Sequence, residues 1–286
     1  MATLLKGLPV AKKLTELLVG KVELLRQAGV VPTLAIVRVG ERDDDLSYER
    51  GAKKRCDAIG IAVKSFVLPE DCTQADLREV IDAVNADDAI HGCLMFRPLP
   101  AHLDERAACD ALDPAKDMDC ATNESLLGVL SGREAGFPPC TAEACIALLD
   151  HYGVELSGAK VTVVGRSLVI GKPVSMMLLS RNATVMMCHT RTRDLASACR
   201  DADIIVVAAG HPATVMADYV RPGQVVVDVG INWDESAGKL CGDVAFDEVE
   251  PVVAAITPVP GGVGSVTTAV LAKHVVEAAE RTVLRS

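Results

Sequence analysis

The segment Val161-Thr162-Val163-Val164-Gly165-Arg166-Ser167-Leu168-Val169-Ile170-Gly171-Lys172-Pro173 narrows the choice of fold more than any other in the chain. A run of β-branched residues stops at a glycine, a cation and a hydroxyl. A second glycine follows, and the apolar stretch from Val174 to Leu179 then reads as helix. Strand, loop and helix in this order place a phosphate over a helix N-terminus, where unpaired N–H groups and the helix dipole favour negative charge. The loop holds two glycines and is longer than the usual G-x-G-x-x-G. Alone, it leaves dinucleotide binding open.

The surrounding rhythm supports a parallel sheet. Pro32–Val39 reads as a buried strand ending at Gly40, Asp45–Ile59 as a helix and Ile61–Leu68 as the next strand. Thr73–Ala86 is predicted helical with Thr73 as N-cap and Asp76 in the first turn. Gly92–Met95 is a short strand stopped by Arg97-Pro98-Leu99-Pro100, and a polar stretch follows. After Phe137-Pro138-Pro139-Cys140-Thr141 comes a helix over Ala142–Tyr152. Four further β-rich runs then follow the one at Val161–Val164: Thr184–Cys188, Ile204–Ala208, Val225–Val229 and Ala254–Ile256. Such alternation predicts an α/β protein with parallel strands and helices on both faces. No internal repeat or low-complexity linker interrupts it. The prolines and the change of rhythm set a boundary near Pro138–Thr141.

Composition excludes several function classes. Half of the 286 residues are apolar, mostly aliphatic, and the formal net charge is −10. Few aromatics and no basic footprint argue against nucleic acid, while a few local cations suffice for an anionic small molecule. The ten cysteines form no C-x-x-C pair and show no metal-ligand spacing, and the histidines are dispersed, so no metal site is expected. Free thiols acting as small core hydrophobes suit a reducing cytoplasm. Met1–Val19 interleaves apolar residues with Lys6, Lys12, Lys13 and Glu16, which predicts an amphipathic helix and not a signal peptide. No apolar run approaches the ~20 residues of a membrane span. A soluble, cytoplasmic protein is expected.

The end of the second strand of a dinucleotide fold selects the cofactor. A carboxylate there bonds the ribose 2′-hydroxyl of NAD, whereas a cation accommodates the extra phosphate of NADP. Here the strand ends Met187-Cys188-His189-Thr190-Arg191-Thr192, with no carboxylate before Asp194. Arg166, Ser167, Thr190 and Arg191 offer charge and hydroxyl donors suited to a phosphate. The expectation is NADP, against the plainer reading of Arg191 and Arg193 as solvated loop charges.

Several segments together resemble the methylenetetrahydrofolate dehydrogenase/cyclohydrolase family. They are Tyr48 with Lys54 and Gly60, Arg97-Pro98-Leu99-Pro100, Lys116-Asp117-Met118-Asp119 and Pro139-Cys140-Thr141. They continue with Gly165-Arg166-Ser167, Gly171-Lys172-Pro173, Val227-Asp228-Val229-Gly230-Ile231-Asn232, Gly242-Asp243-Val244 and Thr257-Pro258-Val259-Pro260-Gly261-Gly262-Val263-Gly264. The resemblance covers nearly the whole chain in order. It implies a folate-side α/β domain (1–140 plus 265–286, completed by the C-terminal helix), a Rossmann-type NADP domain (141–264), folate in a cleft between them and a homodimer. It also implies that Tyr48 packs on the folate ring system and Asp119 binds the pterin, both as catalytic-site residues. Pro260, Gly261 and Gly262 would wall the cleft near the nicotinamide. Two residues without Cβ atoms suit the close approach of flat ligands. Gly165, Arg166, Ser167, Gly171, Thr190, Arg191 and Ile231 would surround NADP.

The chain departs from the family pattern where water would be activated. The family lysine four residues after the tyrosine, on the same helix face, is Ala52, and the glutamine before the Leu-Pro-Leu-Pro-like turn is Phe96. Cys120 stands for the glycine after the pterin aspartate, and Ser265-Val266 for a Pro-Met pair. Hydrolysis of a methenyl cation needs proton management by a tuned group, which a methyl group cannot supply. On a helix, Lys53 and Lys54 lie ~100° and ~200° round from position 52, and Arg97 is a poor base. The hydride step mainly needs two flat partners held at reacting distance. The expectation is an NADP-dependent methylenetetrahydrofolate dehydrogenase with weak or absent cyclohydrolase activity. The alternatives are the bifunctional enzyme, a folate- or nucleotide-binding protein without turnover, and another Rossmann oxidoreductase. The last is disfavoured by Tyr48, Asp119 and Pro260–Gly262 together.

Overall fold

The computed structural model describes residues 1–235 and 238–285. Its elements open with β1 (Thr3–Leu4), α1 (Gly7–Gln27), β2 (Thr33–Val39), α2 (Asp43–Ile59), β3 (Ala62–Leu68), α3 (Gln74–Ala86) and β4 (Gly92–Met95). Next come α4 (Glu105–Ala111), α5 (Asn123–Ser131), α6 (Cys140–His151), β5 (Lys160–Val164), α7 (Gly171–Ser180) and β6 (Thr184–Cys188). The chain continues through α8 (Leu195–Arg200), β7 (Ile204–Val207), β8 (Val225–Asp228), β9 (Asn232–Asp234) and β10 (Lys239–Cys241). It ends with α9 (Phe246–Val249), β11 (Ala255–Ile256) and α10 (Thr267–Arg285).

By its contacts the chain divides into two compact units. One comprises Lys12–Cys140 and the C-terminal segment from Thr268; the other comprises Met1–Ala11 and Thr141–Thr267. The first is built on a parallel three-stranded sheet in the order β3-β2-β4. All of β2 is buried, and Val37, Val39, Leu77, Ile81 and Met95 belong to the core beside it. Helix α3 starts as the sequence dictates. Thr73 accepts the Asp76 amide and Asp76 returns the bond to the Thr73 amide, satisfying donors that a helix start leaves unpaired.

The second unit carries a six-stranded, wholly parallel sheet in the order β1-β11-β8-β7-β5-β6. Its central strands are apolar on both faces, as strands covered by helices on both sides must be. Val164, Ile205, Val207, Val226 and Ile256 are all buried in one cluster. Strand order reverses beside β5: β6 lies on one side and β7 on the other. Ligands bind outside the carboxyl ends of the strands at such a point.

Two expectations differ from the structure. The amphipathic helix read over Met1–Val19 begins only at Gly7, because Thr3 and Leu4 pair with Ala255 and Ile256 as an edge strand. That pairing places the first eleven residues with the six-stranded unit rather than with the folate-side domain. The polar stretch after Pro100 also contains two helices, nucleated by Asp104 and Thr122, whose side chains cap the amides of Ala107 and Ser125.

Candidate active site

In the three-stranded unit, the segments that follow β2 and β4 bring Tyr48 and Phe96 together. Phe96 follows β4, with its amide donating to Val37 O at 3.0 Å. Its ring meets that of Tyr48, on α2, edge to face at 6.0 Å. Tyr48 is half-buried, and Ala52, one helical turn on, is 0 % exposed. Where the resemblance calls for a lysine and a glutamine, the chain has a sealed methyl group and an aromatic ring seated on the tyrosine.

The lysine next in sequence, Lys53, is committed to a carboxylate. Lys53 Nζ lies 2.6 Å from Glu49 Oε1, while Glu49 Oε2 accepts Arg38 Nε at 2.9 Å. Arg38 and Glu49 are both buried, and the Arg38 guanidinium also donates to Gly40 O. Burial alone would push the Glu49 carboxyl up, but hydrogen bonds and charges from Lys53 and Arg38 outweigh it and hold it below its ordinary value. Glu49 is therefore an ionised, doubly paired group and a weak base. No motif in the sequence joins these three residues. The visible signals were an arginine inside the otherwise apolar strand Thr33–Val39 and the i,i+4 spacing of Glu49 and Lys53.

The motif Lys116–Asp119 divides its work. Lys116 Nζ donates to Val84 O, Asn85 O and Asp87 O, closing the C-terminal turn of α3. Asp117 is buried and accepts the amides of Asp119, Ala121 and Thr122, which shapes the loop that presents Asp119. Asp119 is half-buried and accepts the Cys140 amide at 2.8 Å. Burial pushes its carboxyl up, against the Cys140 hydrogen bond and the positive charge of Arg97. From α10, His274 Nδ1 donates to Met118 O at 2.8 Å and its ring stacks on Phe137. Cys120 has φ +56°, a left-handed conformation that explains why a glycine suits that position.

In the six-stranded unit, Gly165 N–H bonds to Cys188 O at 2.9 Å, so the loops after β5 and β6 lie side by side. Gly165 has φ +135°, and a Cβ there would overlap the Ala208 carbonyl; one on Gly171 would overlap the Gly165 carbonyl. Both glycines let three backbone segments close at the switch point. Ser167 Oγ accepts the amides of Ile170 (3.1 Å) and Gly171 (3.4 Å), so the hydroxyl caps the start of α7 from within the loop. Arg166, Lys172, Thr190 and Arg191 are exposed. Asp194 is occupied in capping α8 through the Ser197 amide at 2.9 Å. It is the first carboxylate after β6, and it serves a helix end.

A cavity of about 260 Å³ lies in the same unit, walled by Ile231, Pro260, Gly261 and Gly262 among others. Gly261 has φ +106° and its carbonyl accepts the Gly7 amide, while Gly262 packs against Pro258 and Thr257 with no room for a Cβ. Ile231 is 64 % exposed on the cavity wall. Among the described residues, no group of three His, Cys, Asp or Glu side chains could hold a metal ion, and no helix is long and apolar enough to cross a membrane.

Fold and loops together define a two-unit α/β protein whose six-stranded unit is built to hold a dinucleotide. Comparison with known proteins places it further. Residues 5–119 match the tetrahydrofolate dehydrogenase/cyclohydrolase catalytic domain, and residues 139–283 match that family's NAD(P)-binding domain. The chain belongs to the tetrahydrofolate dehydrogenase/cyclohydrolase family. The bifunctional protein FolD of Carboxydothermus hydrogenoformans is 52 % identical over 281 residues, 98 % of each chain. That of Clostridioides difficile is 51 % identical over 275 residues, 96 % of each. The bifunctional FolD from Campylobacter jejuni superimposes with a TM-score of 0.95 at 38 % identity, covering 99 % of this chain and 100 % of that one. The Trypanosoma brucei enzyme, complexed with NADP cofactor and inhibitor, gives 0.92 at 37 %, covering 99 % and 98 %.

Proposed function

We propose that the protein oxidises 5,10-methylenetetrahydrofolate to the 5,10-methenyl cation with NADP as acceptor, and hydrolyses that cation weakly or not at all. Bound NADP supplies the hydride acceptor. The chain's own groups hold and orient. Tyr48 packs on the folate ring system, Asp119 binds the pterin, and Pro260, Gly261 and Gly262 wall the nicotinamide side. Gly165, Arg166, Ser167, Gly171, Thr190, Arg191 and Ile231 surround the cofactor. The methylene hydrogen leaves with its electron pair, and the lone pairs of the substrate nitrogens stabilise the cation, so no side chain has to take a proton in this step.

The observation that carries the hydrolytic half of the proposal is the apolar pair Ala52 and Phe96, with Lys53 tied to Glu49. On the turn of α2 that follows Tyr48 the one carboxylate, Glu49, is paired with both Arg38 and Lys53. The bifunctional reading is favoured by the bifunctional FolD proteins about half identical to this chain. One assay separates the two: substrate-dependent NADPH absorbance for oxidation, and decay of added methenyltetrahydrofolate for hydrolysis. Decay at the enzyme-free rate is expected. Rapid decay with the wild-type protein would decide for the bifunctional enzyme, and absence of NADPH formation for a binding protein.

NADP is favoured over NAD because Asp194 serves α8 while Arg166 and Arg191 are exposed beside adjoining loops. Arg166→Ala with Arg191→Ala should raise KM for NADP by about tenfold or more, at ~1.4 kcal/mol per factor of ten. KM for NAD should change little. Equal losses for both cofactors would reject the assignment. On the same reading the enzyme is a cytoplasmic homodimer.

A further inference from the structure

In the motifs Val227–Asn232 and Gly242–Val244 only Ile231 has a part in the chemistry above, yet they hold two buried carboxylates beside the carboxyl end of β8. Asp243 is 0 % exposed. Its Oδ2 accepts the amides of Ala209 (2.6 Å) and Gly210 (2.8 Å), which follow β7. Its Oδ1 accepts Asn232 Nδ2 at 2.8 Å, from the segment after β8. Asp228 in turn fixes Asp243, whose amide it accepts at 3.0 Å together with those of Gly230 and Val244. The space is reserved for these groups: a Cβ on Gly230 would overlap the Asp243 carboxyl, and one on Gly242 the Asp228 carboxyl.

The loops so joined are the ones the cofactor needs. Ala208, one residue before the Asp243 clamp, supplies the carbonyl that fills the Cβ position of Gly165. Ile231 lies between Gly230 and Asn232 and lines the cavity together with Pro260, Gly261 and Gly262. A clamp serving the sheet alone could sit at either strand end. This one sits at the carboxyl ends of β7 and β8, beside the switch point.

We propose that Asp243 is a positioning residue for NADP, locking the loops after β7 and β8 in the arrangement that receives the nicotinamide half. The proposal rests on the cofactor reading above. Its chemistry is that of matched donors and acceptors: one carboxylate faces two N–H groups on one oxygen and an amide NH₂ on the other. Asp243→Asn keeps the shape but forces its own NH₂ against one of these donors. With the oxygen kept towards Ala209 and Gly210, the amide of Asn232 loses the shorter of its two bonds and keeps only the one to Gly242 O at 3.2 Å, which loosens the Gly230–Ile231 segment.

The test is NADPH binding by fluorescence titration, with unfolding temperature and folate KM measured alongside. Asp243→Asn is expected to raise the NADPH Kd by about tenfold or more, because small displacements of positioning groups are costly. Folate KM should stay within roughly twofold. The swap Asn232→Asp with Asp243→Asn reverses donor and acceptor between the two side chains, at the loss of the Asn232 bond to Gly242 O, and should recover most of the lost affinity. A folded Asp243→Asn protein with wild-type Kd overturns the proposal, as does a swap that recovers stability but not Kd. Should Asp243→Asn not fold, Asn232→Ala leaves both Oδ2 contacts in place and should raise Kd alone; an unchanged Kd there rejects the idea. A wild-type protein that does not bind NADPH would reject the cofactor reading itself, a result distinct from failure of the clamp.

Discussion

Restoring a lysine and a glutamine together, Ala52→Lys with Phe96→Gln, should raise the hydrolysis of methenyltetrahydrofolate by about 10²- to 10⁴-fold, the usual contribution of one positioned acid–base group. Ala52 is fully buried one turn beyond Tyr48, so a lysine there extends along the helix face that carries the tyrosine. Alone it is expected to do little. Its ammonium would end beside the Phe96 ring, which already contacts Tyr48 at 6.0 Å. It would lose hydration beside that ring. The Arg38–Glu49–Lys53 trio would also compete for it. A glutamine at 96 removes the ring and supplies a carbonyl and an amide, giving both the lysine and a water something to bind. The expected series is therefore no gain with Ala52→Lys, little with Phe96→Gln, and a large gain with both. Dehydrogenase turnover in each variant reports that the site is still assembled. A double variant that oxidises substrate normally yet leaves methenyl decay at the enzyme-free rate would show that the missing groups are not what limits hydrolysis.

The parts of this molecule legible from sequence are those whose cause is local. Val161–Val164 and Thr184–Cys188 announce themselves because β-branched runs bounded by turns fit a buried parallel strand. The observed strands there are Lys160–Val164 and Thr184–Cys188. Thr73 and Asp76 announce the start of α3 because a capping box spans four residues. The hidden parts depend on distant partners. Thr3 and Leu4 form a strand only because Ala255 and Ile256 lie beside them, and no two-residue pattern encodes that. Arg38 finds Glu49 across the turn from strand to helix, and Asp228 finds Asp243 fifteen residues on in sequence. The four charged residues were visible, but a buried charge looks like a solvated one until its donors are placed around it. The same limit applies to function. Position 52 is readable as a lost lysine, whereas the engagement of Lys53 with Glu49 is a fact of three dimensions.

Removing the Asp228 carboxylate should cost more stability than the loss of any other side chain in the clamp. Asp228→Ala leaves the amides of Gly230, Asp243 and Val244 without their acceptor in a site where the side chain is only 2 % exposed. At about 1–3 kcal/mol for each buried donor left unpaired, the loss is of order 4 kcal/mol, much of the margin by which such folds persist. Asp228→Asn retains one acceptor oxygen and should lose less. It also isolates the charge. Burial pushes the Asp228 carboxyl up to about 6 from an ordinary value of 3.8, with the nearby charge of Asp243 adding to the effect and the three amides opposing it. A folded-state value above the unfolded one means that the folded protein binds the proton more tightly. The associated stability is complete below pH 3.8 and is lost as pH rises through about 6. A rise of this size corresponds to roughly 3 kcal/mol. Other carboxylates are common to wild type and Asp228→Asn, so the difference in their unfolding free energies in urea isolates this one. That difference should change in favour of the variant between pH 4 and pH 7, by no more than about 3 kcal/mol. A difference independent of pH would mean that the three amides hold Asp228 ionised throughout, and that its charge is already satisfied by the backbone around it.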